Sequence, residues 1–517
     1  MPYTSNYLLE LPQPPHLSKQ DMFTRRFQPN QESLRALGLI GMLGILFTGC
    51  SYRLHEPPPP SINATSTMLA YCETLSNEGS DLPSFFTARD AQGNNIALHG
   101  TQQDGFFQVE AIATSSEHHA KSNAQLLHQF CQQNLARPEV TPTVKFLRVR
   151  AGLKNDENRF SIVYPRQSEE TATQVRVVVF GDSLSDEGLL KRREKLFPSS
   201  PYWNGRFSNG PVWSEYLDSR TGVAVQNHAY GGASLTGLER LPGEHFFQHV
   251  REGGQFFISG SIGAQVSDYR EEFLDGRTIQ DSENTVAIIW AGANDYISKE
   301  PLSGVITTFL NNPEGEAGYR PVVQDGIDSL ENYIAQLNEA GVHKILLLNL
   351  PDLGRTPIVM QNETYIPLAG ISNDPLRRME LSTRLSELSR FHNSLLDELA
   401  ENLRTSMPGS EVHVADSHSY FQELAYPDSQ HRWWLYETID TPDTQLGIAQ
   451  HCYTGSYLGS LNPHTVCDDP SITVFWDVVH PTTQVHCLLS NMIVQRMTEL
   501  GWLEPGLQQA ELDCAYY

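Results

Sequence analysis

Apolar and polar positions follow two different patterns along the chain, and the change falls near residue 170. From residue 175 onwards, short apolar runs alternate with longer stretches in which apolar residues recur at helical spacing. The pattern predicts strands at residues 175–180, 286–290, 344–349 and 411–415, and helices at residues 327–340 and 379–403. Such alternation is typical of a parallel sheet covered by helices on both faces. We therefore expect an α/β domain over residues 175–517.

Residues 68–166 instead contain short runs in which apolar and polar residues alternate, such as residues 106–111 and 145–149. These runs surround one stretch with helical spacing, residues 120–135. We predict a small β-rich accessory domain here, followed by a polar linker over residues 167–173.

The N-terminal region contains one long apolar run, residues 36–47. A bilayer-spanning helix needs about 20 apolar residues, so this run is too short to cross a membrane. It follows three arginines and leads into Thr48, Gly49 and Cys50, which is the arrangement of a secretory signal. We predict a lipoprotein-like signal peptide at residues 1–49 with Cys50 as the lipidation candidate; a buried N-terminal helix is the alternative. The proline-rich residues 50–67 would then form an extended tether.

Composition and charge narrow the classes of function. With 39% hydrophobic and 19% charged residues, the chain has the composition of a globular protein. Its formal net charge of −25 repels nucleic acid, so no nucleic-acid partner is expected. There is no dinucleotide-binding glycine motif or phosphate-binding loop, and His118 and His119 lack a carboxylate at metal-ligand spacing. The sequence therefore predicts neither a cofactor nor a metal.

Seven cysteines occur in the chain, and six remain for disulfides if Cys50 is set aside. Six cysteines allow fifteen pairings. Pairing of sequence neighbours would join Cys72 to Cys131, Cys452 to Cys467 and Cys487 to Cys514. Because none of them lies in a metal-ligand spacing, we expect disulfides and hence an exported protein; free thiols in a reducing compartment are the alternative.

Candidate chemistry begins with a serine. Residues 177–180 lead directly into Gly181-Asp182-Ser183-Leu184, which places the Ser183 hydroxyl at the carboxyl edge of the predicted sheet, where α/β folds bind ligands. A serine becomes a good nucleophile only when a base takes its proton and an acid orients that base. Asp477 and His480 are three residues apart, and on a helical turn their side chains would meet. Taken alone, each residue also fits a structural role, such as a helix cap for Ser183.

Two further loops can supply hydrogen-bond donors to the oxyanion of an acyl-transfer reaction. Residues 227–233 offer a backbone N–H from a glycine, either Gly231 or Gly232. Residues 291–295 follow a predicted strand and offer the side-chain amide of Asn294. A plain turn and a capping asparagine are the structural alternatives.

Taken together, these four motifs resemble the sequence blocks of the GDSL, or SGNH, hydrolase family, in the family's order, over about residues 175–490. The resemblance implies an SGNH-hydrolase domain of three α/β/α layers with a parallel sheet. It also implies a role for each singled-out residue: nucleophile and oxyanion donor for Ser183, further oxyanion donors for Gly232 and Asn294, and the remaining triad members for Asp477 and His480.

The closer likeness is to exported bacterial phospholipases A, lysophospholipases and glycerophospholipid:cholesterol acyltransferases, including thermolabile haemolysins, on residues 180–186, 205–213, 349–354 and 475–482. It implies fatty-acyl esters of phospholipids or lysophospholipids as substrates at a membrane surface, with a sterol or another alcohol as an alternative acyl acceptor to water. It also implies an outer-membrane lipoprotein or a secreted protein. The segment from Cys452 to Cys467 resembles a cysteine-closed loop of some acyltransferase relatives.

One departure from the family follows Asp186, where Glu187-Gly188-Leu189 replaces the small or hydroxylated residue and Gly-Asn of many relatives. Contacts at this rim of the site are therefore expected to differ. Two other functions stay open at this point: a carbohydrate O-acetylesterase, and a non-catalytic surface-binding lipoprotein.

Overall fold

The computed structural model describes residues 65–76, 85–115, 118–119, 124–135, 144–154, 160–164, 175–194, 198–236, 261–297, 316–360, 375–425, 436–440, 445–459, 463–504 and 514. The predicted signal peptide, most of the tether with Cys50, and the linker at residues 167–173 lie outside these ranges. Within them, no helix is both long and apolar enough to span a membrane.

The first sheet is formed by the N-terminal part of the chain. Its strands are β1 (Thr65–Ser76), β2 (Phe85–Thr87), β3 (Ala97–Gln103), β4 (Phe106–Ala113), β5 (His118–His119), β6 (Val144–Gly152) and β7 (Phe160–Val163). Helix α1 (Ala124–Leu135) contributes Leu127 and Cys131 to the core of this sheet. The strands follow the order β2-β1-β3-β4-β7-β6, and pairing of β1 with β6 closes β1, β3, β4, β7 and β6 into a ring, with β2 beside β1 and β5 beside β4.

Strand β1 already includes residues 65–67, the last three residues assigned to the tether. Thr65, Ser66 and Thr67 pair with Thr101, Gly100 and His99 of β3. The partner strand lies more than 30 residues away in sequence, so local composition gives no sign that these residues pair with another strand.

The second sheet is parallel and has the strand order β12-β11-β10-β8-β9. Its strands are β8 (Arg176–Gly181), β9 (Ala224–Asn227), β10 (Thr285–Trp290), β11 (Lys344–Leu348) and β12 (Glu411–Ala415). Four of them match the predicted strands to within a residue at each end. The fifth, β9, was not predicted, because its four residues are too short a run to show a clear pattern.

Helices cover this sheet on both faces. They are α2 (Leu189–Glu194), α3 (Trp213–Thr221), α4 (Ile262–Asp268), α5 (Ala293–Ile297), α6 (Glu316–Glu339), α7 (Pro357–Met360), α8 (Pro375–Ser406), α9 (Ser417–Ala425) and α10 (Thr483–Glu499). Two small antiparallel pairs join β13 (Tyr436–Asp440) to β14 (Gln445–Ala449) and β15 (Tyr453–Thr454) to β16 (Thr465–Val466).

The two predicted helices are longer than their hydrophobic pattern indicates. Helix α8 starts at Pro375, and proline is accepted at a first helical position because the N–H that it lacks would have no intrahelical partner there. Helix α6 starts ahead of Pro321, and Tyr319 and Val323 are buried in the same core as the rest of this helix.

Strand β8 shows why the domain has three layers. Val178 and Phe180 are buried against α4, α6 and α8 on one face, while Val177 and Val179 are buried against α3 and α10 on the other. Successive side chains of a strand point to opposite faces, so a strand covered on both faces is apolar throughout. The predicted α/β/α arrangement with a parallel sheet is confirmed.

The first sheet packs directly on the α/β domain. Phe106 of β4 and Val163 of β7 belong to the same buried cluster as Phe180. The hydroxyl of Ser161 donates a hydrogen bond to the carbonyl of Val225 in β9.

In the part of the chain that the structure describes, three disulfides each join one cysteine to the next cysteine along the sequence. Cys72–Cys131 links β1 to α1, and Cys452–Cys467 closes the loop that contains β15 and β16. Cys487–Cys514 links α10 to the C-terminal segment.

Candidate active site

The end of strand β8 is held close to its neighbour β10. A Cβ added to Gly181 would lie 2.7 Å from the carbonyl oxygen of Trp290 and 3.0 Å from Ser185 Oγ, so only glycine fits. The side chain of Gln265 makes two hydrogen bonds to the backbone of Gly181. The Gly181 N–H donates to Gln265 Oε1 at 2.9 Å, and Gln265 Nε2 donates to the Gly181 carbonyl at 2.8 Å. The backbone that enters the serine loop, residues 181–188, is therefore fixed.

Inside the serine loop, Asp182 shapes the turn that carries Ser183. Its Oδ1 accepts the N–H of Leu184 at 3.0 Å, and its carbonyl accepts the N–H of Ser185 at 3.0 Å. Burial raises the pKa of Asp182 to about 7, although the Leu184 N–H and His480 oppose the shift. Trp213 donates from its ring nitrogen to Ser185 Oγ at 3.0 Å and so ties the loop to α3.

Ser183, His480 and Asp477 form one hydrogen-bonded chain. Ser183 Oγ lies 2.7 Å from His480 Nε2, and His480 Nδ1 lies 2.8 Å from Asp477 Oδ2. Because a carboxylate only accepts, Nδ1 donates to Asp477 and Nε2 is left to accept the proton of Ser183. The three side chains are buried, with Ser183 only 9% exposed. This is the geometry of a serine nucleophile with its base and orienting acid.

The expected helical turn between Asp477 and His480 is wrong. Asp477 Oδ1 accepts the backbone N–H groups of Val479 and His480, each at 2.8 Å, and the segment is an irregular turn rather than a helix. A short acidic side chain competes with the helical backbone for these N–H groups and favours a turn instead. The two side chains still meet, because the same turn folds the carboxylate onto the imidazole.

Tyr202 is a fourth member of this chain that sequence reasoning missed. Its hydroxyl donates to Asp477 Oδ2 at 2.6 Å, from a position 275 residues away in sequence. Burial raises the pKa of Asp477, but the nearby His480 and Tyr202 outweigh burial, so its pKa lies below the ordinary value. Burial and the neighbouring Asp477 hold the pKa of Tyr202 far above its ordinary value, so this hydroxyl stays a donor.

Aromatic rings enclose the histidine. The ring of Phe207 lies 4.9 Å from that of His480, and the ring of Tyr457 lies 5.9 Å from it. Tyr457 belongs to the Cys452–Cys467 loop, which is attached to the segment before Asp477 by the bond from Tyr453 N–H to the Trp476 carbonyl at 2.6 Å. The disulfide-closed loop therefore forms one wall of the site.

Backbone hydrogen bonding distinguishes Gly231 from Gly232 in the loop that contains them. Gly231 N–H donates to Asp186 Oδ2 at 2.9 Å, whereas Tyr230 and Ala233 donate to backbone carbonyls. Within the described part of the chain, the Gly232 N–H has no such partner, and Gly232 has a φ of +84° that other residues rarely adopt. The glycine loop, residues 227–236, thus leaves Gly232 rather than Gly231 with a donor to offer.

Asn294 and Asp295 hold the far side of the glycine loop. Asn294 Nδ2 donates to the carbonyl of Ala233 at 2.8 Å, which still leaves its second amide hydrogen. Asp295 accepts the backbone N–H groups of Leu235 and Thr236 at 2.8 and 2.9 Å. Burial raises the pKa of Asp295, while these N–H groups and the Thr236 hydroxyl oppose the shift. The Asn294 amide therefore bonds to Ala233, the residue that follows Gly232 in the glycine loop.

Asn227 joins the glycine loop to the serine loop. Its Nδ2 donates to the Ser185 carbonyl at 2.7 Å, and its Oδ1 accepts the Ala229 N–H at 2.8 Å. The asparagine was part of a predicted motif, but its bridging role depends on a contact across the fold.

No cluster of three metal-ligating side chains occurs among the residues that the structure describes. The side chains of His118 and His119 lie outside them.

Comparison with known proteins bears on this geometry. The family of GDSL-like lipases and acylhydrolases matches residues 177–493, which is more than half of the chain and includes the serine loop, the glycine loop, Asn294 and the Asp477–His480 turn. The chain belongs to this family. It is therefore a carboxylic ester hydrolase, as its sequence motifs predict.

Two relatives of this GDSL hydrolase illustrate its place in the family. The phosphatidylcholine-sterol acyltransferase of Aeromonas hydrophila is 29% identical over 61% of this chain and 88% of that protein. The thermolabile hemolysin of Vibrio parahaemolyticus is 22% identical over 77% of this chain and 81% of that protein. Among solved structures, an acetylxylan esterase from Geobacillus stearothermophilus is 13% identical over 65% of this chain and 98% of that chain, with a TM-score of 0.28.

Proposed function

We propose that this protein is an exported serine acylhydrolase that cleaves fatty-acyl esters of phospholipids or lysophospholipids, with Ser183 as nucleophile, His480 as base and Asp477 as its orienting acid. The observation that carries the proposal is the continuous chain of hydrogen bonds from Ser183 Oγ through His480 to Asp477. All three residues lie at the carboxyl edge of the parallel sheet, where such folds bind ligands.

In the first half-reaction, Ser183 Oγ attacks the acyl carbonyl carbon while His480 Nε2 takes the serine proton. The carbonyl oxygen becomes an oxyanion, for which Gly232 N–H, Ser183 N–H and the free amide hydrogen of Asn294 are the donors. The carbon–oxygen bond to the leaving alcohol then breaks, and His480 returns the proton to that alcohol. An acyl-enzyme ester on Ser183 results.

In the second half-reaction, water gives a proton to His480 and attacks the acyl-enzyme, which releases a fatty acid and restores the Ser183 hydroxyl. A sterol or another alcohol can take the place of water, and the product is then a new ester. Hydrolysis and acyl transfer use the same residues, so the acceptor that reaches the acyl-enzyme decides between them.

The substrate class is supported by the names of two relatives. The two relatives are named as an acyltransferase from phosphatidylcholine to sterol and as a hemolysin, and both names fit lipid esters.

Export is supported by the three disulfides, which are typical of oxidising compartments. The signal peptide and lipidation at Cys50 remain part of this proposal.

The first test is labelling with a fluorophosphonate, which reacts with activated serines. We expect the wild type to be labelled and Ser183→Ala to lose the label. Ser329→Ala is the matched control, because its hydroxyl only donates to the Asp325 carbonyl within helix α6. Equal labelling of Ser183→Ala and wild type would reject the nucleophile, and an unlabelled wild type would favour a non-catalytic binding protein.

The second test measures fatty acid release from phosphatidylcholine, lysophosphatidylcholine and p-nitrophenyl esters of short and long chain, with and without cholesterol. Release from the phospholipids that depends on Ser183 supports the proposed substrate class, and cholesteryl ester formation adds acyl transfer. Activity confined to acetyl esters would keep the mechanism and move the substrate to the carbohydrate O-acetylesterase alternative.

A further inference from the structure

Glu187, the residue at which the serine loop departs from the family pattern, is a buried junction. Its side chain is 4% exposed and makes four polar contacts. Ser214 Oγ donates to its Oε1 at 2.8 Å and Asn227 Nδ2 donates to the same oxygen at 3.2 Å. Arg148 and Arg150 donate to its Oε2 at 2.5 and 3.3 Å.

Both arginines come from strand β6 of the N-terminal sheet. They are two residues apart, so their side chains leave the same face of the strand. Their side chains are 3% and 7% exposed. A buried guanidinium that loses its carboxylate partner is strongly unfavourable, so this contact constrains where β6 and the serine loop lie.

From Glu187 the network continues into both loops of the proposed oxyanion site. Asn227 bonds the Ser185 carbonyl in the serine loop and the Ala229 N–H in the glycine loop. The residue before Glu187 is Asp186, whose Oδ2 accepts the N–H of Gly231. Glu187 is therefore in contact with the N-terminal sheet on one side and adjoins the contacts that set the spacing of Ser183 and Gly232 on the other.

We propose that Arg148 and Arg150 of the N-terminal sheet act through Glu187 as positioning residues for the serine and glycine loops. The N-terminal sheet is then a working part of the active site rather than an appended module. The inference rests on the proposed function, in which Ser183 attacks and Gly232 N–H binds the oxyanion. Small displacements of such groups can reduce catalysis by about a hundredfold.

A second contact between the two sheets provides a matched control. Arg176 begins strand β8, at the end opposite to Ser183, and its Nη1 lies 3.6 Å from Asp104 Oδ2 in the turn between β3 and β4. Asp104 also accepts the N–H of Gln280 at 3.0 Å. Asp104→Asn therefore weakens the packing of the sheets without touching either loop.

The experiment compares Glu187→Gln, Arg150→Met, Arg150→Lys and Asp104→Asn in the full chain. The readouts are the melting temperature, kcat and KM on a p-nitrophenyl ester, and the rate of fluorophosphonate labelling of the folded protein. We expect Glu187→Gln and Arg150→Met to lower kcat and the labelling rate by roughly 10- to 100-fold, with KM within about twofold. Arg150→Lys keeps the charge and should recover most of the rate.

Asp104→Asn should lower the melting temperature and leave kcat and the labelling rate near wild type. If Glu187→Gln does not fold, Arg150→Met decides, because it leaves the Arg148 contact with Glu187 in place. Wild-type kcat in both Glu187→Gln and Arg150→Met, or an equal loss of kcat in Asp104→Asn, would overturn the proposal and leave the network a purely structural role. Labelling that persists in Ser183→Ala would reject the proposed function instead, so the two failures are distinguishable.

Discussion

At the scale of single residues, the orientation of His480 depends on how fully Asp477 is satisfied. The carboxylate accepts from the backbone N–H groups of Val479 and His480, from His480 Nδ1 and from the Tyr202 hydroxyl. These donors favour the ionised form, which counteracts the cost of burying a charge. An ionised, fixed carboxylate is what holds the imidazole in the tautomer that can accept the serine proton.

Tyr202→Phe removes one of these donors and keeps the ring in its aromatic cluster. We expect kcat to fall roughly tenfold, since a hydrogen bond to a charged group contributes about 1.5–3 kcal/mol, while KM stays within about twofold. Steady-state kinetics on a p-nitrophenyl ester provide the measurement. Tyr453→Phe is the control, because its hydroxyl donates to the Ser456 carbonyl in the same cluster. An unchanged kcat in Tyr202→Phe would mean that the backbone donors alone orient Asp477.

Asn294→Ala tests the proposed side-chain donor of the oxyanion site. We expect a loss of roughly a hundredfold or more in kcat, because this donor binds charge that develops only in the transition state. The control is Asn284→Ala, which lies ahead of strand β10 at the opposite end from Asn294 and bonds to Asp281. Loss of affinity for substrate with an unchanged kcat would contradict the assignment.

At the scale of elements, the site is assembled where loops from distant segments meet. The Cys452–Cys467 loop bonds the segment that carries Asp477, and its Tyr457 carbonyl accepts the Ser199 N–H at 2.9 Å, close to Tyr202. The Cys452–Cys467 loop is therefore bonded both to the segment that carries Asp477 and to the segment that carries Tyr202, which donates to Asp477. The hydrophobic pattern cannot indicate such contacts, because irregular segments have no periodicity to read.

Replacement of Cys452 and Cys467 by serine should therefore affect catalysis as well as stability. We expect a stability loss of about 3 kcal/mol, the amount associated with a closed loop of this length, and a lower kcat for the protein that remains folded. Replacement of Cys487 and Cys514 by serine is the matched control, since that bond closes a different loop of 27 residues and links α10 to the C-terminal segment. Denaturant unfolding and kinetics on both variants provide the data. An equal kcat in the two variants would exclude a role for the first loop in positioning.

At the scale of the whole molecule, a buried charge network connects the N-terminal sheet to the α/β domain. Arg148 contacts Glu73, Glu187, Glu215 and Asp218, and Arg206 binds Glu215 at 2.5 Å. Such a network is costly to break at one point, because each remaining charge is then buried without its partner. The packing of the two sheets is consequently specific rather than merely apolar.

Asp218 makes the stability of this network depend on pH. Burial raises the pKa of Asp218 to about 7, although Arg148 opposes the shift, and its side chain is 16% exposed. Between about pH 4 and pH 7 the folded protein binds a proton that the unfolded chain has lost, so the contribution of Asp218 to stability falls as the pH rises.

Asp218→Asn removes this titration. We expect the variant to be closer to, or above, the wild type in melting temperature at pH 8 than at pH 5, measured by thermal denaturation across that range. A constant difference between the two proteins at every pH would contradict the raised pKa.

The hydrophobic pattern and the motifs of the sequence determined the class of fold and the candidate catalytic residues. Strand patterns fixed where β8 ends, and this placed Ser183 at the sheet edge; the order of the motifs selected Asp477, His480, Gly232 and Asn294. The strands depend on residues that are neighbours in sequence, so side-chain periodicity reveals them, whereas the roles of the motif residues followed from their resemblance to the GDSL family. The predicted helical turn at Asp477 failed because hydrogen bonds to an aspartate, rather than spacing, decided the backbone there.

Only the tertiary structure decided which partners complete the site. Tyr202 reaches Asp477 across 275 residues, Arg148 reaches Glu187 across 39, and Asn294 reaches Ala233 across 61. Each contact joins segments that are far apart along the chain, because burial, not local preference, forces their polar atoms to find one another.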